Sequence, residues 1–402
     1  MSEALSEKRY SNLVNTLLFL FPLGFLSIKA SGDLILVILM FIGVYSMFKH
    51  RINPITHNAL KGVSLLSLGY FAAILLSIFA SDKPSELLHY VNRDLHFLFT
   101  PFVALAIYLA KVNIKTLILS IKLSLILMGG LILSQYFDGV SRPSWVMNAD
   151  LFGNLTVLFL FMSWSNIQTE AVKDLSLSVL STIFGMTSIV LSGTRGAWVS
   201  FVVLFFVWLF LLLYKKMLDK KVGFLLLIAV LALGVFASTN TVIKNRSSEA
   251  VSEVSNWYNG VNINTSNGSR MEMYKAGLLA AKEKPILGYG YRNGNKEAAK
   301  FADTELQSSI ANHNHLHNAY INTLVFGGVI ALIALLALLF IPLKQFWQQL
   351  KTGKHTELAF LGIFLCVGYA SFGVVNAMFG DMFMNAFYVL FLSILLPKIK
   401  KA

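Results

Sequence analysis

Long apolar runs joined by short polar links make up most of the chain. Runs of about 18 apolar residues read as membrane-crossing helices. They predict about twelve spans: 13–28, 33–48, 58–80, 90–110, 116–137, 150–168, 175–193, 197–214, 222–239, 318–343, 358–377 and 383–397. One long polar stretch, roughly 240–317, interrupts the pattern. The expected architecture is therefore an all-α polytopic membrane protein in three parts. Residues 1–239 hold spans one to nine, 240–317 form a large helical loop, and 318–402 hold spans ten to twelve.

Composition agrees. The 402 residues are 56% hydrophobic and 13% charged, with a mean hydropathy of +0.67. Soluble domains carry about 25% charged residues, so a water-soluble enzyme is excluded. The net charge of +13 does not point to nucleic acid, because Lys and Arg sit in the links between apolar runs. Nineteen, from Lys8 and Arg9 through Lys122, Lys215, Lys216, Lys351 and Lys354 to Lys401, fall on one side of the expected membrane. Five, Lys29, Lys83, Arg93, Arg142 and Arg195, fall on the other. By the positive-inside rule both termini are cytoplasmic, and the long loop faces outward, to the periplasm of a Gram-negative cell. The first span reads as an uncleaved helix, since Ile28 would occupy the −3 position of a cleavage site after Ala30. The single cysteine, Cys366, lies in an apolar run and reads as a small buried residue. No Asp or Glu falls in mid-span, where coupled transporters keep one; Asp33, Asp94 and Asp381 are near span ends.

The short outward links are the unusual ones. Ser81-Asp-Lys-Pro-Ser-Glu86 reads as a helix start, after which His89, Arg93 and His96 share one helical face. Arg142 in Gly139-Val-Ser-Arg-Pro-Ser-Trp145 and Arg195 in Ser192-Gly-Thr-Arg-Gly-Ala-Trp198 stand at outer span ends. Each reads either as a side chain reaching to the interface beside a Trp or as an anion-binding residue. Small neighbours around Arg195 leave room for a bulky anion.

In the long loop, Ser269-Arg-Met-Glu272 fits a capping box that opens a helix over about 270–283, which Pro285 ends. The glycines of Leu287-Gly-Tyr-Gly-Tyr291 allow close backbone approach. Arg270 falls in the expected first turn of that helix. A cation is disfavoured there unless an anion arrives, and a guanidinium matches phosphate oxygens. The alternative is a solvated surface Arg. The loop ends in His313-Asn-His-Leu-His317-Asn318, directly before a long apolar run. Extended, the three imidazoles would point one way and could bind a metal. Helical, His313 and His317 would share a face. In a third reading only one of them is chemical.

Ser192-Gly-Thr-Arg-Gly-Ala-Trp198, Ser269-Arg270 with the helix running to Pro285-Ile-Leu-Gly-Tyr-Gly290, and His315-Leu-His-Asn-Ala-Tyr-Ile321 followed by Phe326-Gly-Gly328 resemble the O-antigen ligase family. The order of the motifs and the topology extend the resemblance over the whole chain. It implies a glycosyltransferase of the GT-C kind, working without metal or nucleotide cofactor in the inner membrane. The implied donor is O-antigen on undecaprenyl diphosphate, and the implied acceptor is lipid A-core. It implies His317 as the essential His, Arg270 and Arg195 as donor-binding arginines and Arg142 as a third. His315, Asn318, Arg93 and Tyr289 are further candidate substrate contacts, and Trp198, Trp257 and Tyr291 are candidates for stacking on sugars. No large C-terminal soluble domain is expected after the last span, a departure from the pattern of many protein oligosaccharyltransferases of that group. A polymerase of the same superfamily, which uses a second lipid-linked glycan as acceptor, and a glycolipid transporter are the competing expectations.

Overall fold

A computed structural model describes residues 2–79, 91–166, 172–218, 241–290 and 293–399. Among these every regular element is helical. The apolar runs form α1 (Ser2–Ser27), α2 (Ser31–His50), α3 (Lys61–Phe79), α4 (Leu95–Leu109), α5 (Ile114–Phe137), α6 (Ala149–Ser163), α7 (Val172–Leu191) and α8 (Arg195–Tyr214). The polar stretch forms α9 (Thr241–Tyr258), α10 (Ser266–Glu283), α11 (Gly294–Ala299) and α12 (Thr304–Asn312). The chain closes with α13 (Ala319–Thr352), α14 (Thr356–Val375) and α15 (Met382–Ile399). Eight of the described helices are long and apolar enough to cross a bilayer, and Ala149–Ser163 and Leu175–Leu191 are shorter apolar helices. The protein is an all-α integral membrane protein. The expected span 222–239, the helix start at 81–86, His89 and Tyr291 lie outside the described residues.

Side-chain capping sets several helix starts. Asn113, Asn148 and Asn318 each accept a hydrogen bond from a backbone N–H of the first turn of α5, α6 and α13. The centre of the bundle is α15, buried without interruption over 384–397. It packs on α2, α3, α4, α13 and α14. Aromatic rings fill this centre: Phe387 lies 4.4 Å from Phe391, 5.4 Å from Phe159 and 5.5 Å from Phe25, between ring centroids. Lys122, grouped above with the cytoplasmic charges, is instead buried within α5, and its Nζ donates to Ser178 Oγ at 2.7 Å.

A second, smaller core joins the polar stretch to the bundle. Met273, Ala276 and Ala280 of α10 pack with Leu306, Ile310 and Leu316, and with Val325 and Phe326 of α13. Gly277 permits this approach, since a Cβ there would lie 2.6 Å from Ile321 Cγ2.

The long helix α13 is broken at Gly328, whose φ of 64° and ψ of −166° suit only glycine. The freed backbone groups pair with residues 285–290. Tyr289 N donates to Val325 O at 2.9 Å, Gly290 N to Phe326 O at 2.8 Å, and Val329 N to Pro285 O at 2.8 Å. Irregular backbone in a membrane helix is tolerated where protein satisfies it. A Cβ on Gly328 would lie 2.1 Å from Ile286 O, a backbone atom that cannot turn aside. Gly328→Ala is therefore expected to destabilise by about 3 kcal/mol, combining strain with lost hydrogen bonds. Thermal melting of the purified protein should show a clear drop, whereas Gly130→Ala, where an added Cβ meets nothing within 4 Å, should melt like wild type.

Candidate functional site

Three guanidiniums converge on one cleft of about 670 Å³ between the bundle and the polar stretch. Arg142 comes from the α5–α6 link, Arg195 from the first residue of α8 and Arg270 from α10. Each is held by a carboxylate. Asp150, in the first turn of α6, accepts from Arg142 Nη2 at 3.0 Å and pairs with Arg270 Nη2 at 3.5 Å. Glu253 of α9 pairs with Arg195 Nη1 at 3.3 Å and also accepts from Asn267 N at 3.1 Å. Glu249 lies 3.7 Å from Arg195 Nη2. Arg142 donates further to Ser192 O and Thr194 Oγ1, both at 3.3 Å. The small residues around Arg195 divide their work. Gly193, with φ of 62°, faces Arg142, while Gly196 lets α8 approach Val375 of α14.

The histidine segment lies beside this cleft. Leu316 is fully buried and its N–H donates to Asn322 Oδ1 at 3.1 Å. Asn318 caps α13, and its Nδ2 donates to Val374 O at 3.0 Å. Tyr274 Oη donates to His317 O at 2.9 Å. Between these anchors His317 takes a left-handed backbone, φ 52°, uncommon for a non-glycine residue. The segment is thus neither strand nor helix, and the rings gather around His317. Its centroid lies 4.5 Å from that of His315 and 5.8 Å from that of His313.

The electrostatics keep the His315 and His317 rings neutral. Burial, aided by His315, Arg270 and His313 and opposed by Asp150, lowers the His317 imidazole from 6.5 to about 3. Burial, then Arg93, His313 and Arg270, lowers His315 to about 4 against a hydrogen bond to Asn376. His317 Nδ1 is buried with no hydrogen-bond partner among the described residues. The chemical content is an uncharged proton acceptor beside a set of cations.

Residues 180–336 match the O-antigen ligase family. The matched segment runs from α7 to the first half of α13 and includes Arg195, Arg270, His315, His317 and Asn318. Arg142, Asp150 and Asn376 complete the site from outside it. A protein of Haemophilus influenzae, itself described as uncharacterized, is 28% identical over 410 residues, covering 96% of this chain and 98% of its own. The similarity supports a place for the chain among membrane proteins that ligate or polymerise lipid-linked glycans.

Most residues expected from the sequence meet here. Arg93, in a single 3-10 turn (Asn92–Asp94), adds its charge to His315 and to Asp381. His96, expected on the same face as Arg93, instead turns to Asp33, with Nε2 to Oδ1 at 3.0 Å. Tyr289 is not brought to the cleft lining but packs in the small core. Its ring is 7% exposed in the small core, with Lys284 Nζ 4.9 Å from the centroid. Its backbone pairing to α13 holds it there. Trp257 likewise donates its Nε1 to buried Glu272 at 2.9 Å. The capping box at Ser269 is also corrected. Thr265 caps α10 by accepting from Gly268 N, and Glu272 binds Trp257, Lys275 and Asp303 N. Arg270 therefore sits beyond the first turn, and its anionic partner is Asp150. Sequence reasoning missed Asp150, Glu253, Tyr274 and Asn376. The Asn148 cap preceding Asp150 was the one available signal, since it fixes that carboxylate at a helix start.

Proposed function

We propose that the protein is an O-antigen ligase. It transfers a glycan from undecaprenyl diphosphate to lipid A-core oligosaccharide at the periplasmic face of the inner membrane, the final step of lipopolysaccharide assembly. The observation that carries this reading is a neutral, half-buried imidazole, His317, beside a cleft walled by Arg142, Arg195 and Arg270. In the proposed reaction the acceptor hydroxyl attacks the anomeric carbon. Its proton passes to His317 as the new C–O bond forms, and the bond to the diphosphate breaks with its electron pair on the departing oxygen. A sugar hydroxyl is too weak an acid to ionise first, so a general base is needed during attack. The guanidiniums stabilise the charge that grows on the diphosphate. Within the cleft Asp150 and Glu253 keep these cations oriented. His315, Asn376 and Arg93 back His317, and Asn318 sets its backbone. The donor is already activated, so the step calls for neither metal nor nucleotide.

Reconstitution tests the reading. Purified protein given undecaprenyl diphosphate-linked O-antigen and lipid A-core should form the conjugate. Longer lipid-linked glycan with unmodified lipid A-core would assign it instead as a polymerase, and no bond formation would remove the enzymatic reading.

The topology belongs to the same proposal: both termini are cytoplasmic, and 240–317 is the periplasmic loop that carries part of the site. Reporters fused after Lys216 and Lys351 should read cytoplasmic, and one after Asn264 periplasmic. A cytoplasmic signal at Asn264 would place the cleft away from its substrates.

A further inference from the structure

Helix α6 carries a buried amide that the fold leaves unused. Asn154 stands one turn after Asp150, on the same helical face, and lines the cleft with Arg142, Arg195 and Arg270. It is 1% exposed, and its Oδ1 is buried with no hydrogen-bond partner among the described residues. The other buried polar side chains of α6 bond back to their own helix. Thr156 Oγ1 donates to Phe152 O at 2.8 Å, and Ser163 Oγ to Leu160 O at 2.7 Å. In the same wall Thr194 Oγ1 donates to Ala149 O at 3.0 Å. Gly153 seats α6 against the start of α8, since a Cβ there would lie 3.0 Å from Ala197 Cβ and 3.2 Å from Ser192 Oγ. That close packing fixes Asn154 in the wall that also carries Arg195. A buried polar group without a partner is destabilising, so its presence in the wall of a cleft points to a ligand.

Given the ligase reading, we propose that Asn154 binds the first sugar of the donor, the one joined to the diphosphate. The contact is to a ring substituent that both gives and takes a hydrogen bond, a hydroxyl or an acylamino group. A carboxamide offers a donor and an acceptor. Diphosphate oxygens only accept, and the three guanidiniums supply donors for them. A sugar hydroxyl fills both halves of the amide. The sugar is directly bonded to the diphosphate, so a diphosphate held by the arginines places it in the same cleft. The accepting glycan instead presents its hydroxyl on the His317 side. A site built to hydrogen-bond a substituent rejects the analogue that lacks it, which makes Asn154 a residue that selects the donor.

Asn154→Leu nearly preserves side-chain volume and removes both polar halves. The variant should melt at or above the wild-type temperature, because an unpaired amide is gone. In reconstituted transfer it should lose about 10–100-fold in kcat/KM. Synthetic prenyl diphosphate donors, each with one substituent of the first sugar replaced by hydrogen, locate the contact. With one member of that set wild type should lose the same factor, and the Leu variant should lose nothing further. Undecaprenyl diphosphate without sugar should raise the melting temperature of both proteins equally. Full activity of the Leu variant beside an active wild type would overturn this inference alone. Absence of bond formation by wild type would overturn the ligase reading and this inference with it. Weaker undecaprenyl diphosphate binding by the variant would assign Asn154 to the diphosphate and overturn the sugar contact. Independent losses with every member of the donor set would overturn it too. A melting temperature well below wild type would make the amide a support of the fold, with the same result.

Discussion

Replacing His317 by alanine is expected to slow glycan transfer by about 10²–10⁴-fold, the usual worth of a general base, while donor binding changes little. The pH profile gives the sharper readout. In the free protein the imidazole is depressed to about 3, so kcat/KM should stay level through the range in which an ordinary histidine protonates. A bound diphosphate brings negative charge next to the ring and offsets the Arg270 field. An anion favours imidazolium, so the pKa rises in the complex. The acid limb of kcat should therefore lie at higher pH than that of kcat/KM. Cells carrying the variant should accumulate undecaprenyl-linked glycan and display bare lipid A-core. Normal single-turnover rates on a reduced bound fraction would reassign His317 as a positioning residue. His313→Ala should be mild, since the His313 side chain is exposed and its Nδ1 is engaged by Ser309 O at 2.7 Å.

Arg270→Ala and Arg195→Ala are each expected to lower transfer by about 10²–10³-fold, as for loss of one preorganised group facing developing charge. The protein should still insert and purify. Arg→Lys should recover activity only in part, because an ammonium lacks the guanidinium fork. The two positions should differ in side effects. Removing Arg270 frees one oxygen of Asp150, whose other oxygen still holds Arg142. Removing Arg195 takes away the cation shared by Glu249 and Glu253, and so also loosens α9. Near-normal transfer by both alanine variants would sink the diphosphate-clamp reading.

The helical spans were legible because burial in lipid writes itself as unbroken apolar sequence. Eleven of the twelve expected runs coincide with described helices, and 222–239 lies outside the described residues. The arginines and His317 were legible because cations and imidazoles at span ends break that pattern. Their carboxylate partners were not. Asp150 and Glu253 are ordinary acidic residues in sequence, and only folding brings them within 3.5 Å of their arginines. Tyr289 was read as a candidate substrate contact because glycines flank it; in the fold those glycines accompany backbone pairing of 289–290 with α13. Lys122, counted toward topology as a lysine near a span end, turns its ammonium inward to Ser178, a burial that sequence does not reveal. The start of α10 shifted from Ser269 to Thr265 because two capping side chains competed, and the Thr265 hydroxyl reached Gly268 N.

The break at Gly328 also has a mechanical meaning. Four main-chain hydrogen bonds lace 285–290 to both sides of the interruption, the last from Ile330 N to Ile286 O at 3.5 Å. Pulling that segment away would strip donors and acceptors from α13 on both flanks at once, a heavy penalty in hydrocarbon. The stretch from α10 to α12 is therefore riveted to α13 and must travel with it as one piece. On the proposed function, access for two bulky lipid-borne glycans would come from parts fastened more lightly. One is α9, held by side-chain contacts rather than a backbone lacing: to α8 by the Arg195 ion pairs and to α10 by Trp257 to Glu272 and Asn267 N to Glu253. Admission of the donor and release of α9 would then draw on the same guanidinium, so that a diphosphate arriving at Arg195 loosens the latch as it docks.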